Sequence, residues 1–235
     1  MALDKGIVYY SDNHGDELLL SKCRKQLKKS ADLNGIDEII CVSQKPINDF
    51  GINFVMDLKR STNSIFKQVL KGLQESTKDI IFLCEQDIVY HPDHFKLMPD
   101  DDKIFYYDQN RWAVDDVTGK CVFYRSSQVS LLVAKRNLLL KHYNVCVENI
   151  EKDKWRNRYG YSPPKGHPGK RVGKAVAVMA DSPSLDIRRE DSWTRKRMTK
   201  DQFRNESSCR GWKESGFISP WGQLEGRFNE FINEL

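Results

Sequence analysis

The chain has 235 residues, 39% of them hydrophobic and 11% aromatic, which is enough to bury a full core as one large domain or two small ones. No apolar run approaches the roughly 20 residues that cross a bilayer, and Met1-Ala2-Leu3-Asp4-Lys5 lacks the basic-then-apolar layout of a signal peptide, so no membrane partner and a cytoplasmic location are expected (host cytoplasm if the source is viral). The formal net charge of +5 is uneven: residues 150–213 carry 17 Lys/Arg against 8 Asp/Glu, whereas residues 1–149 carry 20 against 21. Such a basic stretch reads either as a surface for a polyanion or as a solvated face.

Gly6-Ile7-Val8-Tyr9-Tyr10 predicts a first strand, followed by the polar loop Ser11-Asp12-Asn13-His14. Residues 16–29 place Leu18, Leu19, Leu20, Cys23 and Leu27 at helical spacing, and Asn34-Gly35 then breaks the chain. Glu38–Ser43 reads as a second strand and residues 61–75 as a helix with Ile65, Phe66, Val69, Leu70 and Leu73 on one face. Strand, helix, strand, helix, strand predicts parallel strands with right-handed crossovers, whose carboxyl ends open a ligand crevice.

The third strand of that series, Asp79 to Glu85, carries the most informative pattern. An apolar run ends in Glu85-Gln86-Asp87, and alternation along an extended chain points the two acids the same way. Two carboxylates at the end of a core strand are costly unless something neutralises them, and a hard divalent cation takes oxygen ligands. A solvated strand end, a helix cap or a plain ion pair would also account for the tripeptide.

After Pro92, Lys103–Tyr107 reads as a strand, Val114–Val122 as a hairpin around Thr118-Gly119, and residues 126–143 as a buried helix. Residues 159–171 are rich in Gly and Pro and predict a loop, and Ala175–Met179 a last short strand. The tail from Leu185 to Trp221 is basic, bears Trp193, Trp212 and Trp221, and shows little periodicity. The six cysteines are widely spread with no Cys-x-x-Cys pair, which argues against a zinc site or a disulfide framework.

Several blocks resemble a family of small glycosyltransferase-like proteins of bacteria and bacteriophages with a GT-A type fold. They include Tyr9-Tyr10-Ser11-Asp12-Asn13, Val42-Ser43-Gln44-Lys45-Pro46-Ile47, Phe66-Lys67-Gln68-Val69-Leu70, Phe82 through Phe95, and Phe105 through Trp112. Asp186-Ile187-Arg188, Asp201 through Asn205 and Gly211-Trp212-Lys213 continue the match. The resemblance implies an α/β fold, a GT-A-like (Rossmann-like) mixed sheet flanked by helices with an irregular basic C-terminal region. It also implies one domain over residues 1–235, with a nucleotide-sugar half (1–95) and an acceptor half (96–235) that contains a basic loop (159–174) and the tail (185–235).

By the same resemblance, Glu85 and Asp87 would hold Mn2+ or Mg2+ bridging the diphosphate of a nucleotide sugar, expected to be a UDP-sugar. The loop after the first strand would lie near the acidic pair in such a sheet, where Ser11, Asp12 and Asn13 would meet a base or ribose, although a helix cap is the better reading of at least one of them. The resemblance gives Asp12 the nucleoside contact, and Arg60 is a further donor-binding candidate. The family pattern places His-Gly after Asp-Ile-Arg, where this chain has Arg189-Glu190. A third ligand such as His167, or neutralisation of the diphosphate by Arg188 and Arg189, would stand in its place. Asp186, just past a short strand in a polar block, is the first candidate for a general base, with Asp108 and Asp181 in reserve, although an ion pair with Arg188 or Arg189 accounts equally for Asp186.

The cations Lys165, Lys170, Arg171, Lys174, Arg195, Lys196 and Arg197, interleaved with Tyr159, Tyr161, Trp193 and Trp212, have the two ingredients of a nucleic-acid surface. Together with the resemblance, which brings in phage glycosyltransferases that decorate hydroxymethylated pyrimidines, they lead to the expectation of double-stranded DNA carrying 5-hydroxymethylpyrimidine as acceptor. A polysaccharide or small-molecule acceptor, or a non-catalytic DNA-binding module, are the alternatives. Taken singly, Trp193, Trp212, Trp221 and Phe203 read better as anchors that pin the tail onto the core.

Overall fold

The computed structural model of the chain describes residues 4–152, 163–164, 172–192 and 194–235. Strands β1 (Lys5–Ser11), β2 (Glu38–Ser43), β3 (Ile52–Val55) and β4 (Ile80–Glu85) run parallel, in the order β3-β2-β1-β4. Helix α1 (Glu17–Asp32) connects β1 to β2, and α2 (Thr62–Glu75) connects β3 to β4. Both helices start on side-chain caps: Asp16 accepts from the Leu19 amide and Ser61 from the Ser64 amide.

The short β5 (Ile88–Val89) follows β4 after a two-residue turn. Further along come β6 (Ile104–Asp108), β7 (Arg111–Asp115), β8 (Cys121–Phe123), β9 (Leu132–Lys135), α3 (Arg136–Glu151), β10 (Lys174–Val178) and β11 (Ser184–Arg188). The main sheet is completed in the order β10-β6-β9-β4, with β9 antiparallel to both of its neighbours and β10 parallel to β6. The fold class is thus the expected one, a mixed sheet flanked by helices.

Alternation along the central strands sorts the core into two layers. Val8, Tyr10, Ile81 and Leu83 face α2 and α3, whereas Ile7, Tyr9, Ile80, Phe82 and Cys84 face Leu27 and Ala31 of α1 together with Phe95. Glu85 continues the α2-facing stripe and sits opposite Tyr10 in the register. Helix α2 lies close to the sheet at Gly72, where an added Cβ would come within 2.4 Å of Val8 Cγ1.

A second sheet in the order β12-β8-β7-β11-β5 packs beside the first, with β12 (Lys213–Ser215) at its edge. The hairpin β13 (Phe217–Ile218) and β14 (Gly222–Gln223) leads to α4 (Phe228–Glu234), whose Phe228, Phe231 and Ile232 join Leu19 and Cys23 of α1 over the second sheet.

Two expectations need correction. Residues 126–143 are not one helix, because Leu132–Lys135 form β9 in the middle of the main sheet before α3 begins. Buried on both faces, such a strand is continuously apolar and cannot be told from a buried helix by periodicity. The tail is also more regular than its composition implies. Asp186 lies within β11, not past a strand, and Leu185 and Ile187 are fully buried.

Replacing Gly72 with Val is expected to destabilise the fold by about 1–3 kcal/mol, the usual cost of overpacking, as a lower urea midpoint with unchanged slope. An unchanged midpoint would mean that α2 can lift off Val8 freely.

Candidate functional site

The site lies where β1 and β4 end side by side, with Tyr10 paired to Glu85. The predicted proximity of the loop after β1 to the acidic strand end is present, and Gln86 creates it. Ser11 Oγ donates to Gln86 Oε1, and Gln86 Nε2 donates to Asp12 Oδ1 at 2.7 Å and to the His14 carbonyl at 3.1 Å. Arg60 Nε donates to Asp12 Oδ2 at 2.5 Å. Asn13, at φ 54°, accepts from the amides of Gln44 (2.9 Å) and Lys45 (2.8 Å) and so ties this loop to the one after β2. Asn13 therefore shapes the crevice through the backbone.

The acids are joined by β11, which returns to the site about a hundred residues later in the chain. β5 and β11 pair antiparallel with Asp186 opposite Ile88, and the Ile187 amide donates to the Asp87 carbonyl at 2.9 Å. Asp186 Oδ2 accepts from Arg111 Nη1 at 2.9 Å and from Arg188 Nη2. The expected alternative for Asp186, an ion pair, is thus present with Arg188, and the buried Arg111 of β7 is a second partner. Among the described residues its other oxygen, Oδ1, carries no hydrogen bond.

Arg189 is also buried. Its Nη2 donates to the His14 carbonyl at 3.0 Å and stands 4.0 Å from Asp87 Oδ2, and its Nη1 is 3.1 Å from Asp191 Oδ1. The guanidinium occupies the space that a side chain at position 15 would need. A Cβ on Gly15 (φ +137°) would lie 1.8 Å from Arg189 Nη1.

Electrostatically the site is strained toward a cation. Burial, then Asp87 and Asp186, push Glu85 well above the usual carboxylate range, with Arg188 opposing. Burial and then Asp186 push Asp87 up to about 6, with Arg188 and Arg189 holding it lower than it would otherwise lie. For Arg188, burial disfavours the charge, but Asp186 above all, with Tyr124, Asp87 and Glu85, outweighs it and raises the pKa.

Three adjoining clefts share Glu85. One of about 340 Å³ is lined by Tyr10, Ser11, Asp12, Gln44, Arg60, Ser61, Gln68 and Gln86. One of about 290 Å³ holds Glu85, Asp87, Asp186 and Arg188 with Gln128, Ser192 and Thr194. The third, of about 640 Å³, runs from Tyr10 and Ile65 to Val129 and Thr194.

Asp108 is a correction. It is fully buried, its Oδ2 is 2.9 Å from His94 Nδ1, and its Oδ1 accepts from the Asn110 and Ala180 amides. A carboxylate so enclosed cannot reach an acceptor hydroxyl. Of the cations expected to form a basic surface, two are engaged within the fold. Lys196 Nζ is 3.0 Å from Asp115 and 2.9 Å from Asp116, and the Arg197 guanidinium lies 5.3 Å over the Phe203 ring. Lys174 opens the edge strand β10, and Arg195 is exposed. His167, Lys165, Lys170, Arg171, Tyr159, Tyr161 and Trp193 lie outside the described residues. Trp212 stacks near Tyr124 and Phe203, and Trp221 Nε1 donates to the Pro183 carbonyl at 2.6 Å, so both act as anchors.

Gln86, Gln128 and Thr194 escape sequence reasoning. Gln86 had one available signal, its place between the two acids, where alternation turns it back toward the loop after β1.

The residues present fit a divalent cation of a particular kind. The Glu85 amide donates to Tyr90 Oη at 2.9 Å, but its carboxylate has no hydrogen bond or ion pair among the described residues, and Asp87 faces the Arg189 guanidinium at 4.0 Å. No group of three His, Cys, Asp or Glu side chains is arranged to hold a metal among the described residues. Two carboxylates completed by substrate phosphates is the ordinary way in which Mg2+ is bound, and a closed protein cage is not.

No family profile and no curated protein matches the chain. Solved structures do resemble it. A glycosyltransferase involved in glycosylation of the major capsid of PBCV-1 is 9% identical over 74% of this chain and 82% of its own, with a TM-score of 0.44. HddC from Yersinia pseudotuberculosis is 12% identical over 77% and 93%, also at 0.44. GalNAc-T7 with UDP, GalNAc and Mn2+ is 11% identical over 81% of this chain and 45% of its own, at 0.45. Likeness at this level leaves the chemistry of the site to its own residues.

A folded-state carboxyl near 6, against the ordinary unfolded value near 4, binds more protons when folded, so the protein without metal loses stability as pH rises between those values. Metal ligation needs the deprotonated pair and opposes that loss. Millimolar Mn2+ is therefore expected to raise Tm at pH 7.5 and to raise it less at pH 5, and Asp87→Asn to abolish the difference in thermal-shift measurements. An equal rise at both pH values would place the metal elsewhere.

Proposed function

We propose that this chain is a metal-dependent glycosyltransferase that moves a sugar from a nucleotide-sugar donor, a UDP-sugar by the sequence resemblance, to an acceptor hydroxyl. The observation that carries this reading is the acid pair at the end of β4. Glu85 and Asp87 are partly buried and raised in pKa, only Asp87 has an ion-pair partner among the described residues (Arg189, at 4.0 Å), and both lie next to a crevice floored by the loop after β1. A cofactor or substrate that brings a divalent cation and phosphates together completes such a site.

In this reading the nucleoside lies in the cleft of Asp12, Gln44 and Arg60. Arg60 and Gln86 hold both oxygens of Asp12, so the carboxylate presents a fixed orientation. Glu85 and Asp87 would hold Mn2+ or Mg2+, which when bound offsets the charge that grows on the departing diphosphate. Arg188 and Arg189 stand on the other side of the acids as permanent cations, and Arg189 occupies the position at which the family pattern has His. Asp186 is anchored through one oxygen by two guanidiniums and keeps Oδ1 for the proton of the acceptor hydroxyl.

The DNA acceptor expected from the charge count gains little support, because Lys196 and Arg197 are engaged within the fold. A cell-surface or small-molecule acceptor needs no such surface.

Asp87→Asn is expected to lower metal-dependent release of nucleoside diphosphate from UDP-sugars by about a hundredfold or more while the circular dichroism spectrum is kept. Release that persists at the native rate in the variant, or that ignores removal of divalent cations by chelation, would refute the assignment.

A further inference from the structure

The cleft of about 640 Å³ beside Glu85 differs in character from the rest of the site. Its floor is the outer surface of the α2-facing core, with Ile65, Phe66 and Val129, and its rim carries the hydroxyls and amide of Thr62, Gln128 and Thr194. No Lys, Arg or His lines it among the described residues, and its one ionisable acid is Glu85 at the junction with the acid-pair cleft. Among the described residues, the cations of the site lie on the other two sides: Arg60 beside Asp12, and Arg188 and Arg189 beside the acids.

We infer that this cleft receives the acceptor, and that the acceptor is an uncharged carbohydrate. The inference rests on the transferase reading above. A nucleic-acid strand brings a phosphate with each nucleotide and gains most of its affinity from Lys and Arg that neutralise those phosphates. A phosphate drawn into this cleft would meet an apolar floor, neutral hydroxyls and a carboxylate, and would pay desolvation with no partner. A sugar ring matches the lining at each point. Its carbon-bearing face covers the apolar floor, and its hydroxyls exchange hydrogen bonds with hydroxyl and amide groups that both donate and accept.

Continuity with the acid-pair cleft through Glu85, Gln128 and Thr194 brings a bound ring to the place where the donor's anomeric carbon would sit. There an acceptor oxygen forms the new bond to the anomeric carbon as the bond to the diphosphate breaks. The diphosphate leaves with the electron pair, and the acceptor proton passes to Asp186.

The test incubates the full chain with Mn2+ and each of UDP-glucose, UDP-galactose, UDP-N-acetylglucosamine and UDP-xylose. The acceptors are p-nitrophenyl glycosides in one arm and duplex DNA carrying 5-hydroxymethylcytosine in the other. Mass spectrometry reads the products, and calorimetry reads UDP binding separately. A glycosyl unit added to a glycoside and none to DNA is the expected result. Ser127→Lys, at an exposed position on the rim, is expected to raise the glycoside KM about tenfold or more with UDP affinity unchanged. Transfer to DNA in preference to every glycoside, or a glycoside KM indifferent to Ser127→Lys, overturns the inference. UDP binding and donor hydrolysis with no glycoside product overturn the inference and leave the transferase reading standing. Absence of UDP binding overturns both.

Discussion

Two carboxylates at the carboxyl end of a central strand impose the condition that the surrounding structure answers. β4 is apolar and fully buried through Cys84, and the next three residues place Glu85 and Asp87 against that apolar wall. Both lose hydration, repel each other, and face Asp186 as a third negative group. Charges so placed are tolerated only with compensation. Two buried guanidiniums from β11 and the residue after it provide part of it, and the cleft left open on the remaining side is where a cation and phosphates would provide the rest.

The compensation depends on a long-range pairing. β11 reaches the acid turn through β5, and the Ile187 amide bonded to the Asp87 carbonyl fixes the height at which Arg188 and Arg189 stand. Arg111 on the neighbouring β7 then holds Asp186 from behind. From the other direction, Gln86 draws the loop after β1 down onto the same turn. Arg189 bonds to that loop at His14, and Gly15 leaves the room for it. Segments near residues 12, 86 and 189 are thereby held as one unit, so a small shift in any of them moves the other two.

The first half of this was legible in the residues. Strand-helix periodicity located β1, β2, α2 and β4 almost to the residue, and α1 but for its last turn, because each of these elements has one face in the core or is apolar throughout. The acid pair was legible because carboxylates interrupt an apolar run. The edge strand β3 escaped, since its four residues are half-exposed and show no alternation. β9 was hidden by continuity with α3, a case in which burial on both faces removes the period. β11 was hidden for a different reason: Asp186 and Arg188 look like surface residues in a polar tail, and their mutual ion pair, with Arg111 as a second partner of Asp186, lets them be buried. Asp108 misled in the same way, since its partner His94 lies on another element and no local signal announces the pair.

Net charge was the least informative reading. A count over residues 150–213 registers an excess of cations but not the direction in which they point. Arg188 turns to Asp186, Arg189 to His14 and Asp191, Lys196 to Asp115 and Asp116, and Arg197 and Lys213 lie over the rings of Phe203 and Phe123. What results is a sharp division within one site. Its acid-pair end is crowded with opposed fixed charges, and among the described residues the cleft of about 640 Å³ beside it carries no cation. The two ends share Glu85, Gln128 and Thr194, so a ligand that spans them passes from a lining of opposed charges to one whose other described residues are hydroxyl, amide and apolar groups.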